Sequence, residues 1–153
     1  MGYASIKDPS VYFQAVLYTG TGSTQSVGND GNSNLKPDWV WIKKRNSSGN
    51  HSVFDSTRGA TKELVTNGTN AEATDAQLLT QFDTDGFTVG TNSGVNGSSD
   101  TFVAWQWKAN GGTTSSNTDG SITSTVQADT TAGFSIVSFT GNGSNDATIG
   151  HGL

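Results

Sequence analysis

Two stretches decide the fold: Trp39-Val40-Trp41-Ile42-Lys43-Lys44-Arg45 and Thr101-Phe102-Val103-Ala104-Trp105-Gln106-Trp107-Lys108. Side chains alternate across a strand. In the first stretch Trp39, Trp41 and Lys43 therefore share one face, and Val40, Ile42 and Lys44 share the other. In the second, Val103, Trp105 and Trp107 oppose Phe102, Ala104 and Gln106. Two apolar faces predict central strands covered on both sides. The four indoles then read as core, since Trp is a large apolar payload in a chain short of apolar mass. The other reading makes Trp39, Trp41, Trp105 and Trp107 one patch whose indole faces stack on sugar rings.

Outward from these strands, turns come often. Val11–Tyr18 alternates as a strand, and Thr19–Lys36 is a polar loop with a weak strand signal near Val27. His51–Asp55 is a short strand after the turn Asn46–Asn50, while Gly59–Thr66 fits either a helical turn or a strand. Gln77–Phe82 and Phe87–Gly90 flank Asp83-Thr84-Asp85-Gly86, the pattern of a hairpin with glycine supplying a positive φ. Asn92–Asp100 reads as a loop and Asn110–Asn117 as a low-complexity linker; Ser121–Gln127 and Gly133–Thr140 complete the strands. No segment keeps a helical period. Short strands with frequent turns predict an all-β fold, a two-sheet antiparallel β-sandwich of jelly-roll or concanavalin-like type.

The chain also repeats itself. Phe13–Ser23 reads FQAVLYTGTGS and Phe134–Ser144 reads FSIVSFTGNGS. With one residue inserted, Val27-Gly28 then match Ile149-Gly150. The offset of about 120 residues is the size of a small domain. The expected organisation is a lead-in over 1–12, a module over 13–133, and 134–153 as the start of a second repeat or a closing strand. A chain of this kind looks like the front of a modular array.

Composition narrows the function classes. Of 153 residues, 31% are hydrophobic and only 14% charged, with a net charge of −5. Low charge argues against disorder, which pairs low hydrophobicity with high net charge. Most of the Lys and Arg residues fall between Lys36 and Lys62, and none lies from Glu63 to Trp107. A polyanion needs clustered cations, so nucleic acid is excluded as a partner. There is no cysteine, hence no disulfide framework and no thiolate metal site. No apolar run is long enough for a membrane-spanning helix, and MGYASIKDPS lacks the apolar core of a secretion signal.

Chemistry-bearing motifs are sparse. Asp83 and Asp85 are the weak calcium candidates, two carboxylates apart by one residue on a loop. Turn chemistry alone accounts for Asp83–Gly86, and the twelve-residue calcium-loop pattern is absent. No resident cofactor is expected beyond that. His51, Asp55, Arg58, Lys62 and Glu63 form the densest ionisable group, with Ser52 and Ser56 nearby. No G-x-S-x-G pattern surrounds the serines, and the group reads as a polar edge with an Asp55–Arg58 pair. No catalytic residue is assigned. The Asn-x-Ser/Thr sequons at Asn46, Asn50, Asn67, Asn96 and Asn142 arise by chance in such a composition.

Taken together, IKDPSVYFQAVLYTGTGS, KPDWVWIKKR, HSVFDSTRGATKEL, FDTDGFTVG, TFVAWQWKANGG and TDGSITSTVQADTTAGFSIVSFTGNGSNDATIGHGL resemble a repeated β-rich module. That module belongs to virion structural and tail-fibre-like proteins of marine and cyanobacterial tailed phages, and is similar to concanavalin-like lectin sandwiches. The resemblance implies a non-enzymatic fibre or decoration subunit on the surface of a virion, made in the host cytoplasm without a signal peptide. It implies other virion proteins as partners, a homo-oligomer, and contact with host-surface carbohydrate. The segment 1–12 would anchor the chain to the particle. Tyr3, Tyr12 and Tyr18 would join the stacking surface if exposed. A pure assembly or cement protein and a tail-associated glycan depolymerase are the alternatives.

Overall fold

A computed structural model describes residues 6–153. The first part of the 1–12 lead-in, with Tyr3, lies outside the described residues. Among the described residues the chain is almost entirely β. In chain order the strands are β1 (Phe13–Thr19), β2 (Gln25–Val27), β3 (Trp39–Lys44), β4 (His51–Asp55), β5 (Lys62–Val65) and β6 (Ala73–Thr74). There follow β7 (Leu79–Asp83), β8 (Gly86–Val89), β9 (Thr101–Trp107), β10 (Ser115–Asn117), β11 (Ser124–Asp129) and β12 (Phe134–Ser138). A short α-helix, α1 (Ser93–Asn96), precedes β9, and a 3-10 turn over Pro9–Val11 precedes β1. No helix among the described residues is long and apolar enough to cross a membrane.

Six strands form one antiparallel sheet in the order β1-β9-β3-β4-β5-β6, and a second sheet has the order β2-β8-β7. These two make the sandwich that the sequence predicts. The even-numbered residues of β3 and β9 (Val40, Ile42, Phe102 and Ala104) meet Val27, Leu79, Phe87 and Val89 from the smaller sheet in one buried cluster. The hairpin β7–β8 turns at Thr84-Asp85, and Gly86 takes φ +100. A Cβ on Gly86 would collide with the Val27 carbonyl oxygen, so glycine is required there by both conformation and space.

A third sheet, β10-β11-β12, is added to the sandwich. It is attached through a buried polar joint. The Asp38 carboxylate, immediately before β3, accepts from Ser56 Oγ (2.7 Å), Ala109 N–H (2.8 Å) and Gly111 N–H (2.9 Å). Gln127 of β11 donates to Ser56 Oγ (3.0 Å) and Thr57 Oγ1 (2.8 Å) and accepts from Gly112 N–H (2.7 Å). Both side chains are fully buried. Buried polar groups are kept only where their hydrogen bonds are made, and here those bonds hold the start of the 110–117 linker against the large sheet.

Several local expectations change: Asn92–Asp100, read as a loop, contains α1, and Asn110–Asn117, read as a linker, ends in β10. Gly59–Thr66, undecided in sequence, contains the strand β5. The strands carrying the tryptophans are central in the sheet but fully covered on one side only. Only the Val40/Ile42 and Phe102/Ala104 face is sealed by the second sheet; all four indoles are half-buried on the other face. Phe54, Phe87 and Phe102 with Val, Ile and Leu side chains fill the space between the two sheets, and the indoles lie outside it.

Candidate functional site

Register brings the two Trp pairs together. β3 and β9 are antiparallel neighbours, with Trp39 opposite Trp107 and Trp41 opposite Trp105. The Trp41 and Trp105 rings lie 5.3 Å apart at 55°. The row continues on one side to Ala15 of β1 and on the other to Val53 of β4. Trp107 packs on Phe13 at 4.8 Å. Trp41 Nε1–H donates to His51 Nδ1 at 3.2 Å, which fixes the indole plane and leaves the imidazole Nε2 to carry the proton of a neutral ring. With Phe13 39% and Leu17 62% exposed on the same face, an aromatic and aliphatic surface runs across the sheet.

Part of this face is roofed. Phe134 of β12 stacks on Trp107 at 5.9 Å and meets Trp39 edge-on at 6.3 Å. Between β12 and the sheet lies a cavity of about 380 Å³, lined by Trp39, Leu64, Asp55 and Arg58 below and by Val137 and Phe139 above. That volume falls within the range of small-molecule sites. The acid in it is not free. Asp55, 2% exposed, is held by Arg58 Nε at 2.6 Å, and the same guanidinium reaches Glu72 at 3.1 Å. The hydrogen bond from Arg58 holds the Glu72 carboxyl below its ordinary range. Lys62 completes the group at 3.3 Å from Glu72.

The other candidates are occupied within the fold. Asp83 accepts from Thr88 Oγ1 (2.7 Å) and Ser26 Oγ (3.1 Å), and Asp85 accepts from the Leu35 N–H (3.1 Å). The two calcium candidates thus brace separate contacts. Among the described residues no three of His, Cys, Asp and Glu converge to hold a metal ion. Tyr18 is partly buried against the core: its hydroxyl donates to the Val95 carbonyl at 2.6 Å, and burial pushes its pKa far up. Tyr12 is half-buried beneath the Lys108 ammonium.

Besides the Asp38–Gln127 joint, sequence reasoning missed Asn96. Asn96, at the end of α1, is fully buried and donates to the carbonyls of Ser23 (2.6 Å) and Gly90 (2.7 Å) while accepting from Thr21 N–H (2.9 Å). The signal that points to it is the repeated Thr-Gly-x-Gly-Ser, whose first copy wraps around it.

Against known families, residues 8–153 match a domain of unknown function, DUF7483. The chain belongs to the DUF7483 family. The match takes in the sandwich, the third sheet and the segment after β12, so a DUF7483 domain spans both copies of the repeated strand. No curated protein and no solved structure matches the chain.

Proposed function

We propose that this DUF7483 chain is a non-enzymatic recognition subunit of a virion that contacts host-surface glycans through the outer face of its six-stranded sheet. The observation that carries this reading is the half-exposed row of Trp41 and Trp105, oriented by His51 and continued by exposed apolar side chains. An indole presents a flat apolar face with a polar edge, which suits pyranose C–H faces rimmed by hydroxyls. Lys43 and His51 lie beside it in the next row of the register and supply hydrogen-bonding groups. Weak single sites suffice on a particle carrying many copies. The resemblance of the sequence blocks to phage virion modules supplies the setting. The cavity beside the row supports binding rather than turnover, because its carboxylate is neutralised by Arg58.

The test is a glycan array with the purified chain, repeated with Trp41→Ala and Trp105→Ala. Binding that falls at least about tenfold in both variants, roughly 1.4 kcal/mol, with no shortening of the bound polymer, fits the reading. Binding unchanged in both removes it, and cleavage of the polymer favours the depolymerase.

A second reading is supported by one specific observation. β1 is an edge strand of seven residues with exposed Phe13 and Leu17, the kind of edge that pairs with another chain. A homo-oligomer built on that edge would sediment above the 15.9 kDa monomer, and Leu17→Lys would return it to monomer.

A further inference from the structure

The sequence repeat is also a repeat of conformation. In the first copy Thr19–Ser23 forms a clasp around α1 and the loop after it. Gly20 N–H donates to the Asp100 carbonyl (2.8 Å), Ser99 N–H to the Gly20 carbonyl (2.9 Å) and Gly22 N–H to the Asn96 carbonyl (2.9 Å). Gly22 takes φ +73, and Thr21 Oγ1 accepts from Ser23 N–H. In the second copy Gly143 also takes φ +73, and Asn142 Oδ1 accepts from Ser144 N–H at 2.9 Å. The clasp is formed, yet no described residue lies in it. A Cβ on Gly20 would collide with the Gly97 carbonyl oxygen; one on Gly141 or Gly143 would meet nothing within 4 Å.

The strand before the clasp repeats this contrast. Tyr18 is stacked on Phe102 at 5.1 Å and edge-on to Phe87 at 6.0 Å. Its counterpart, Phe139, is 51% exposed. Val16 is buried in the core, and its counterpart Val137 only half-buried.

The backbone edges agree as well. Lys108 N–H donates to the Tyr12 carbonyl and Gly20 N–H to the Asp100 carbonyl. By alternation, Gln14, Val16 and Tyr18 address β9. In β12 the hairpin closes at Asp129 opposite Phe134, with Gly133 N–H on the Asp129 carbonyl. Phe134, Ile136 and Ser138 then address β11, and Ser135, Val137 and Phe139 address the open edge. Those three are the counterparts of the residues that address β9.

We infer that Phe134–Ser144 is a donor strand and clasp that completes a second domain of this same kind. It takes there the place that β1 and Thr19–Ser23 take here. The occupant is a strand equivalent to β9, preceded by its Asn96-type loop. The chain's own β9 is not available, being paired with β1 and β3. Donation would place β12 between β11 and the incoming strand, joining the third sheet of one domain to the large sheet of the next.

The test is a fusion in which a copy of residues 32–153, lacking its own β1, clasp and β2, follows Leu153 directly, so that Phe134–Leu153, with Ile149-Gly150 in the place of Val27-Gly28, stands where all three were. The inference requires the appended copy to fold: a second set of tryptophans becomes protected, and its proteolysis half-life exceeds that of the same copy expressed alone by about tenfold or more. Gly141→Val and Phe139→Ser, each placed in the donor segment, should abolish that protection. Gly141 is open in the 153-residue chain, so Gly141→Val should leave its own urea midpoint unchanged, while Phe139 also lines the cavity under β12 and Phe139→Ser is read against the midpoint it gives the 153-residue chain alone. An appended copy that stays protease-sensitive, or one equally protected with Gly141→Val in the donor, overturns the inference.

Discussion

Replacing Asp38 by alanine should loosen the third sheet and lower the stability of the whole chain. The carboxylate serves three donors. Ala109 N–H is buried and would have no other acceptor, whereas Gly111 is exposed and can turn to water. Ser56 Oγ can shift its proton to Gln127 Oε1, now at 3.3 Å. One stranded donor costs about 1–3 kcal/mol and a lost charge-assisted bond about 1.5–3 kcal/mol. Allowing for the relief of desolvating a carboxylate, the net loss is about 3 kcal/mol. With a urea slope of about 2 kcal/mol/M, the unfolding midpoint falls by about 1.5 M. Asp38→Asn separates the bonds from the charge. Its amide oxygen keeps both backbone donors and its NH2 donates to Ser56 Oγ, so the loss is about 1 kcal/mol, or about 0.5 M. Urea titrations followed by tryptophan fluorescence, with Trp39 and Trp107 under Phe134 as reporters, read both variants. A shift under about 0.5 M for alanine, or asparagine as damaging as alanine, refutes the reasoning.

The remaining predictions concern the sandwich and its charges. Gly86→Ala meets both a positive φ and the Val27 carbonyl, and should lower stability by about 2–4 kcal/mol, which a thermal melt reads as a fall of roughly 5–12 °C. Phe54→Ala should cost about 3–5 kcal/mol by opening the core, whereas Trp105→Ala, on the half-exposed face, should cost about 1–2 kcal/mol; equal midpoints for the two would contradict the assignment of faces. Lys44 holds the Asp100 carboxyl below its ordinary range by a hydrogen bond. A carboxyl depressed in the folded state stabilises above its unfolded pKa, near 4, and the benefit fades as pH falls through the folded value. Asp100→Asn should therefore be less stable than the parent at pH 7, with the difference vanishing toward pH 2; a gap that persists in acid would rule out the Lys44–Asp100 pair as its cause.

Much of the sandwich was legible because alternation is a local property. Trp39–Lys44, His51–Asp55 and Thr101–Trp107 are strands for the reason the sequence suggested, and the Asp83–Gly86 turn makes the expected hairpin. Alternation also put the indoles on one face, but it carries no sign. With Val40 and Ile42 opposite, either face could have been the core, and the choice is made by how side chains of the two sheets interdigitate. Polar burial was the least legible part. Nothing in the sequence marks Asp38 before a strand or Gln127 at the end of one as buried, and Asn96 falls in a segment read as a loop. Their roles exist only after distant segments meet, so no periodicity announces them. β5 was ambiguous because a four-residue strand offers too few side chains to tell one period from another.

The two rims of the large sheet are unlike. One ends on β6, a strand of two residues, and the other on β1, a strand of seven. Extension strand by strand therefore has a direction: the short rim blunts it while the long rim invites it. Contacts between unlike ends propagate in a line unless their rotation closes a ring. The polarity of a row built rim to rim on this sheet is thus written into the unequal lengths of its outermost strands.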